Sequence, residues 1–132
     1  MKKLFALVLC SCVALSLLPL GAKRAEAIPA FKTEFDAMYV KKDSQDPKEK
    51  SLAEAVDKVK CNVCHVGKSK KDKNEYGKEL GKLLGKADLK AKAKIQDALK
   101  QVGKIKSKPG DDASPTYEDL IKDGKLPSPE SP

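Results

Sequence analysis

The sequence predicts an all-α protein of about five short helices. Three observations carry that expectation. Apolar residues recur at the 3.6-residue period in several separate stretches, no stretch reads as a strand, and Gly, Pro, Ser and Asp punctuate the intervals between the periodic stretches. Length and composition agree. A chain of 132 residues supports one domain, and 5% aromatics with no Trp excludes a core of several layers. Charged residues at 35% exclude a multi-span membrane protein.

The N-terminal segment reads as something apart from the fold. Met1-Lys2-Lys3 is a basic start, positions 4–20 are apolar with Pro19 near the end, and Ala25-Glu26-Ala27 is a small-x-small site. That order describes a secretory signal peptide over 1–27, cleaved after Ala27, so the protein is expected to be exported to the periplasm. The alternative is a chain anchored in the membrane through the uncleaved segment, because 17 apolar residues lie at the lower edge of a bilayer span. Cleavage removes Cys10 and Cys12. It also takes four bases and one acid from totals of 27 and 19, leaving a net charge of +5.

The helical domain is expected over 28–125. Phe31, Phe35, Met38 and Tyr39 fall at i, i+4, i+7 and i+8, one apolar stripe on a first helix. A polar, Pro-containing linker follows over 41–50. Ser51 and Glu54 then have the spacing of a capping box, opening a second helix whose Leu52, Val56 and Val59 lead into Cys61. Positions 68–73 read as a basic loop. A third helix is expected over 75–84 with Tyr76, Leu80, Leu83 and Leu84 on one side. Gly77 and Gly81 widen that face, and each costs about 1 kcal/mol against Ala inside a helix. A close approach by a crossing helix or by a bound group compensates. Asp88 is the expected cap of a fourth helix carrying Ala91, Ile95, Ala98, Leu99 and Val102, with Gly103 as its stop. After a connector over 104–113, Ser114-Pro115 starts a last short helix that ends near Gly124. The three prolines within 126–132 predict a disordered tail.

One motif carries the chemistry. Cys61-Asn62-Val63-Cys64-His65 is a C-x-x-C-H sequence, the attachment signature of c-type haem. Two thiols three positions apart can each add across one vinyl group of the same haem, and the adjacent imidazole is placed beneath the iron as its proximal ligand. A disulfide or redox-active dithiol is the plainer alternative, but it expects a strand-then-helix setting that this chain lacks. A structural zinc site needs four Cys or His ligands, and the chain after Ala27 offers three.

With these residues in place, the chain resembles the small, secreted monohaem cytochromes c. The resemblance rests on Cys61, Cys64 and His65 following an amphipathic helix in an all-helical chain of fitting size. It implies one covalent haem c with its iron, with Cys61 and Cys64 as the thioethers and His65 as the proximal ligand. It also implies an electron carrier rather than an enzyme. The helices are then expected to pack around the haem in a cytochrome c-like domain over 28–125. The sequence departs from the class I pattern because no Met or second His follows His65.

Met38, the single Met after the signal segment, is therefore the first candidate for the distal iron ligand, and core packing is the plainer role for it. A Lys amine, the Ile28 amino group, a Tyr oxygen or water are the alternatives. An empty position would suit a five-coordinate haem protein that binds a small gas or decomposes peroxide. The chain after Ala27 has no arginine and no spare His to assist peroxide cleavage.

Lys58, Lys60, Lys68, Lys70, Lys71 and Lys73 flank the motif on both sides, with Asp72 the one acid among them. A positive ring there would steer a redox partner with an acidic docking face. Nucleic acid is not expected as a partner, since aromatics are few and acids nearly balance bases after cleavage.

Overall fold

The computed structural model describes residues 30–128. The signal segment over 1–27, with both its cleaved and anchored readings, lies outside the described residues. Among those residues the fold is all-α, with five helices and no strand. No helix among them is long and apolar enough to cross a membrane.

The helices are α1 (Ala30–Tyr39), α2 (Pro47–Val59), α3 (Glu75–Leu83), α4 (Lys92–Gly103) and α5 (Tyr117–Lys122). Short 3₁₀ turns occupy Lys60–Val63 and Lys86–Asp88. Helix α4 is the hub, packing against α1, α3 and α5, while α2 packs against α5. Its Ile95, Ala98, Leu99 and Val102 are all buried, so the stripe expected from periodicity is the centre of the core. Around it lie Phe35 of α1, Leu52 and Val56 of α2, and Tyr76 and Leu80 of α3. An aromatic row runs through this core: Phe35 meets Tyr76 edge-on at 6.1 Å between ring centroids, and Tyr76 meets Tyr117 at 5.1 Å.

Three local expectations are corrected. Helix α2 starts at Pro47, four residues ahead of Ser51. Asp46 caps it, accepting the N–H groups of Lys48 at 2.7 Å and Glu49 at 3.4 Å, and Pro47 occupies the first turn, where a missing N–H costs nothing. Ser51 is therefore interior to the helix. Asp88 does not cap α4: its Oδ2 accepts the Gly85 N–H at 2.8 Å and closes the 3₁₀ turn, while Oδ1 pairs with Lys94 at 2.7 Å. The last helix is opened by Thr116 rather than Ser114, through a reciprocal box with Asp119. Of the expected tail, residues 126–128 are described; they carry no helix, and Pro127 and Ser128 are buried.

Candidate functional site

The motif sits where α2 stops. The last residues of α2 lead straight to Lys60, whose φ of 51° lies in a region that L-residues seldom occupy. That break turns the chain out of the α-helix and into the 3₁₀ turn Lys60–Val63. Val63 is buried and pins the turn to the core, which leaves Cys61 exposed and Cys64 and His65 partly exposed. The Cys61 carbonyl accepts both the Cys64 N–H at 3.3 Å and the His65 N–H at 3.2 Å, so the pentapeptide closes on itself.

Cys61, Cys64 and His65 converge on one open cleft of about 230 Å³. Leu80 of α3, Leu84 just past its end and Phe31 of α1 give it apolar walls; Lys70 and Lys73 bring positive charge to it, and Lys32, paired with Asp36, lines it too. The two glycines of α3 divide their work. A Cβ on Gly77 would stand 2.0 Å from the Cys64 carbonyl oxygen, so this glycine lets α3 dock directly on the motif backbone. A Cβ on Gly81 would meet only the flexible end of Lys73, at 2.6 Å, and Gly81 opens onto the cleft.

The imidazole is held from behind. His65 Nδ1 lies 3.1 Å from the Asp72 carbonyl oxygen, which also accepts the Val66 N–H at 3.1 Å. A carbonyl can only accept, so this bond requires the proton on Nδ1 and leaves the lone pair of Nε2 available as a ligand. The Cys61 and Cys64 side chains are free thiols. Burial pushes the Cys64 thiol up to about 12, with Lys32 partly offsetting it. As a thiol Cys64 is therefore a poor nucleophile near neutral pH, unlike the activated cysteines of exchanging dithiols.

Met38 is not brought to the cleft. It packs partly buried against the core, and the residues of α1 that reach the cleft are Phe31 and Lys32. Of the six flanking lysines, Lys70 and Lys73 line the cleft, and Lys58, Lys60, Lys68 and Lys71 are exposed outside it. None of the six enters an ion pair among the described residues, whereas lysines elsewhere do, as in Lys41–Glu49, Lys48–Asp123 and Lys122–Glu118. Val66, beside His65, is 42% exposed within this basic surround.

Sequence reasoning missed Phe31 and Lys32 as cleft residues, and missed Asp72 and Asn74 as supports of the motif. Asn74 carried a readable signal, an N-cap residue directly before the expected start of α3. Lys32 and the Asp72 carbonyl carried none, because both act through tertiary placement. In comparisons with known proteins, no family model, no curated protein and no solved structure matches the chain.

Proposed function

We infer that the chain is an exported carrier of single electrons holding one haem c covalently at Cys61, Cys64 and His65. The observation that carries this reading is the convergence of those three side chains on one open, partly apolar cleft, with the histidine ring already oriented. The residues fit the group on three counts. Cys61 and Cys64 would supply two thiols for the thioethers, His65 would offer Nε2 to the iron, and Phe31, Leu80 and Leu84 would supply an apolar bed for the macrocycle. Lys70 and Lys73 would supply cations for its carboxylates.

Bound there, the haem supplies an iron that cycles between ferrous and ferric states. The protein's own part would be to leave the group reachable through the open cleft and to hold the ring of His65 by its bond to the Asp72 carbonyl. The flanking lysines, which enter no ion pair among the described residues, orient a redox partner with an acidic face, raising the rate of encounter more than the affinity.

Met38 packs partly buried against the core and does not line the cleft, and this supports a second reading of the same site: a haem iron that would bind a small gas or peroxide. Rapid binding of carbon monoxide to the ferrous protein is expected on that reading and not if a side chain ligates.

The experiment is an absorption spectrum of the reduced protein in alkaline pyridine, on material matured in an exporting host. A c-type spectrum is expected for the wild type, and covalent haem is expected to be lost in Cys64→Ser. A colourless wild type, or full retention in Cys64→Ser, overturns the reading.

A further inference from the structure

Helix α3 begins where the chain returns to the motif, and one residue makes the join. The backbone N–H of Asn74 donates to the Cys64 carbonyl at 3.2 Å. Its side-chain Nδ2 donates to the Val63 carbonyl at 3.0 Å and to the Asn62 carbonyl at 3.2 Å. Its Oδ1 accepts the Gly77 N–H at 2.9 Å and so caps the helix. Asn74 is 4% exposed. Three consecutive carbonyls inside the pentapeptide are thus bonded to a single buried residue. Two positions earlier, the Asp72 carbonyl holds the His65 ring, and the antiparallel bridge between His65 and Lys73 lies between the two contacts.

Capping α3 needs only the oxygen of the Asn74 amide. The NH₂ half reaches the motif, and in a buried setting that donor satisfies carbonyls that would otherwise be costly to leave unbonded. The geometry points to Asn74 as a positioning residue: by holding the carbonyls of Asn62, Val63 and Cys64 it sets the turn from which Cys61, Cys64 and His65 project into the cleft. For its effect on haem this rests on the function proposed above; for its effect on the His65 ring it does not.

The two halves of the amide can be separated. Asn74→Asp keeps the cap oxygen and loses the donor, and Asn74→Ser caps without adding a buried charge. In full-length protein matured in an exporting host, covalent haem per folded chain, read by intact mass, is expected to fall at least about tenfold in both variants. Helix content by circular dichroism is expected to stay at the wild-type level. A smaller loss of haem overturns the proposal. Loss of helical structure in both variants overturns it too, since Asn74 is then a residue of the fold and not of the site. If the wild type itself carries no haem, the functional reading fails and Asn74 is judged on the ring of His65, the only histidine in the chain. Its ¹⁵N resonances are then expected to report the proton on Nδ1 in the wild type and mainly on Nε2 in the variants. An unchanged ring in the variants overturns the positioning role.

Discussion

At the scale of single residues, the buried hydroxyl of Tyr76 is the sharpest test of the packing around the motif. Among the described residues it is the one buried side-chain polar atom without a hydrogen-bond partner, and burial raises its pKa well above the ordinary tyrosine value. Leaving such a group unbonded costs about 1–3 kcal/mol. Tyr76→Phe is therefore expected to raise stability by about 1 kcal/mol in chemical denaturation, and a loss of stability would mean that the hydroxyl is bonded after all. Gly77 and Gly81 form a second test, because the sequence presents them as equivalent. Gly77→Ala drives a methyl into the backbone of Cys64 and is expected to cost about 3 kcal/mol or more. Gly81→Ala displaces only the tip of Lys73 and gains up to about 1 kcal/mol of helix propensity. Similar effects in the two variants would contradict the docking of α3 on the motif. Nothing in the spacing of the glycines distinguishes them; only the tertiary position of the Cys64 carbonyl does.

At the scale of helices, existence was legible and ends were not. The stripes Phe31–Phe35 and Ile95–Leu99–Val102 stated which faces would be buried, because a period of 3.6 maps directly onto one side of a helix. The start of α2 was misread because two capping signals compete within six residues: Asp46-Pro47 and Ser51 with Glu54. The earlier one wins, since Asp46 satisfies two N–H groups at the N-terminus while Pro47 has no N–H to satisfy. Asp46→Ala is accordingly expected to cost about 1 kcal/mol, and Ser51→Ala to stay within about 0.5 kcal/mol of the wild type. Equal losses would restore the box at Ser51. The caps also set the response to acid. Asp119 is held below the ordinary carboxyl value of 3.8 by its bonds to Thr116, Asp88 by Lys94 and the Gly85 N–H, and Asp123 by Lys48. A carboxylate depressed in the folded state contributes fully above 3.8, and that contribution is lost as the pH falls through its folded value. The melting temperature is therefore expected to change little through these groups from pH 7 to 5 and to drop below about pH 4, with a shallower drop in Asp119→Asn.

At the scale of the whole molecule, the chain places the C-x-x-C-H pentapeptide, a partly apolar cleft and a basic surround without ion pairs among the described residues on one side of a helical core. The pentapeptide was visible in the sequence as a local pattern. The cleft was not, since Phe31, Lys32, Leu80 and Leu84 come together only when α1 and α3 pack on α4. The basic surround was visible as a run, but its freedom from ion pairs depends on where the acids of the other helices fall. If that surround steers a partner, raising ionic strength from about 0.01 to 0.15 M shortens the screening length from about 30 to 8 Å and is expected to slow electron transfer with an acidic partner. A rate independent of salt would remove the steering role and leave the haem site untouched. The central claim is tested most directly by the intact mass of the chain matured in an exporting host. One haem increment that maps to the peptide bearing Cys61 and Cys64, and persists in denaturant, is the predicted result; an unmodified polypeptide mass would contradict it.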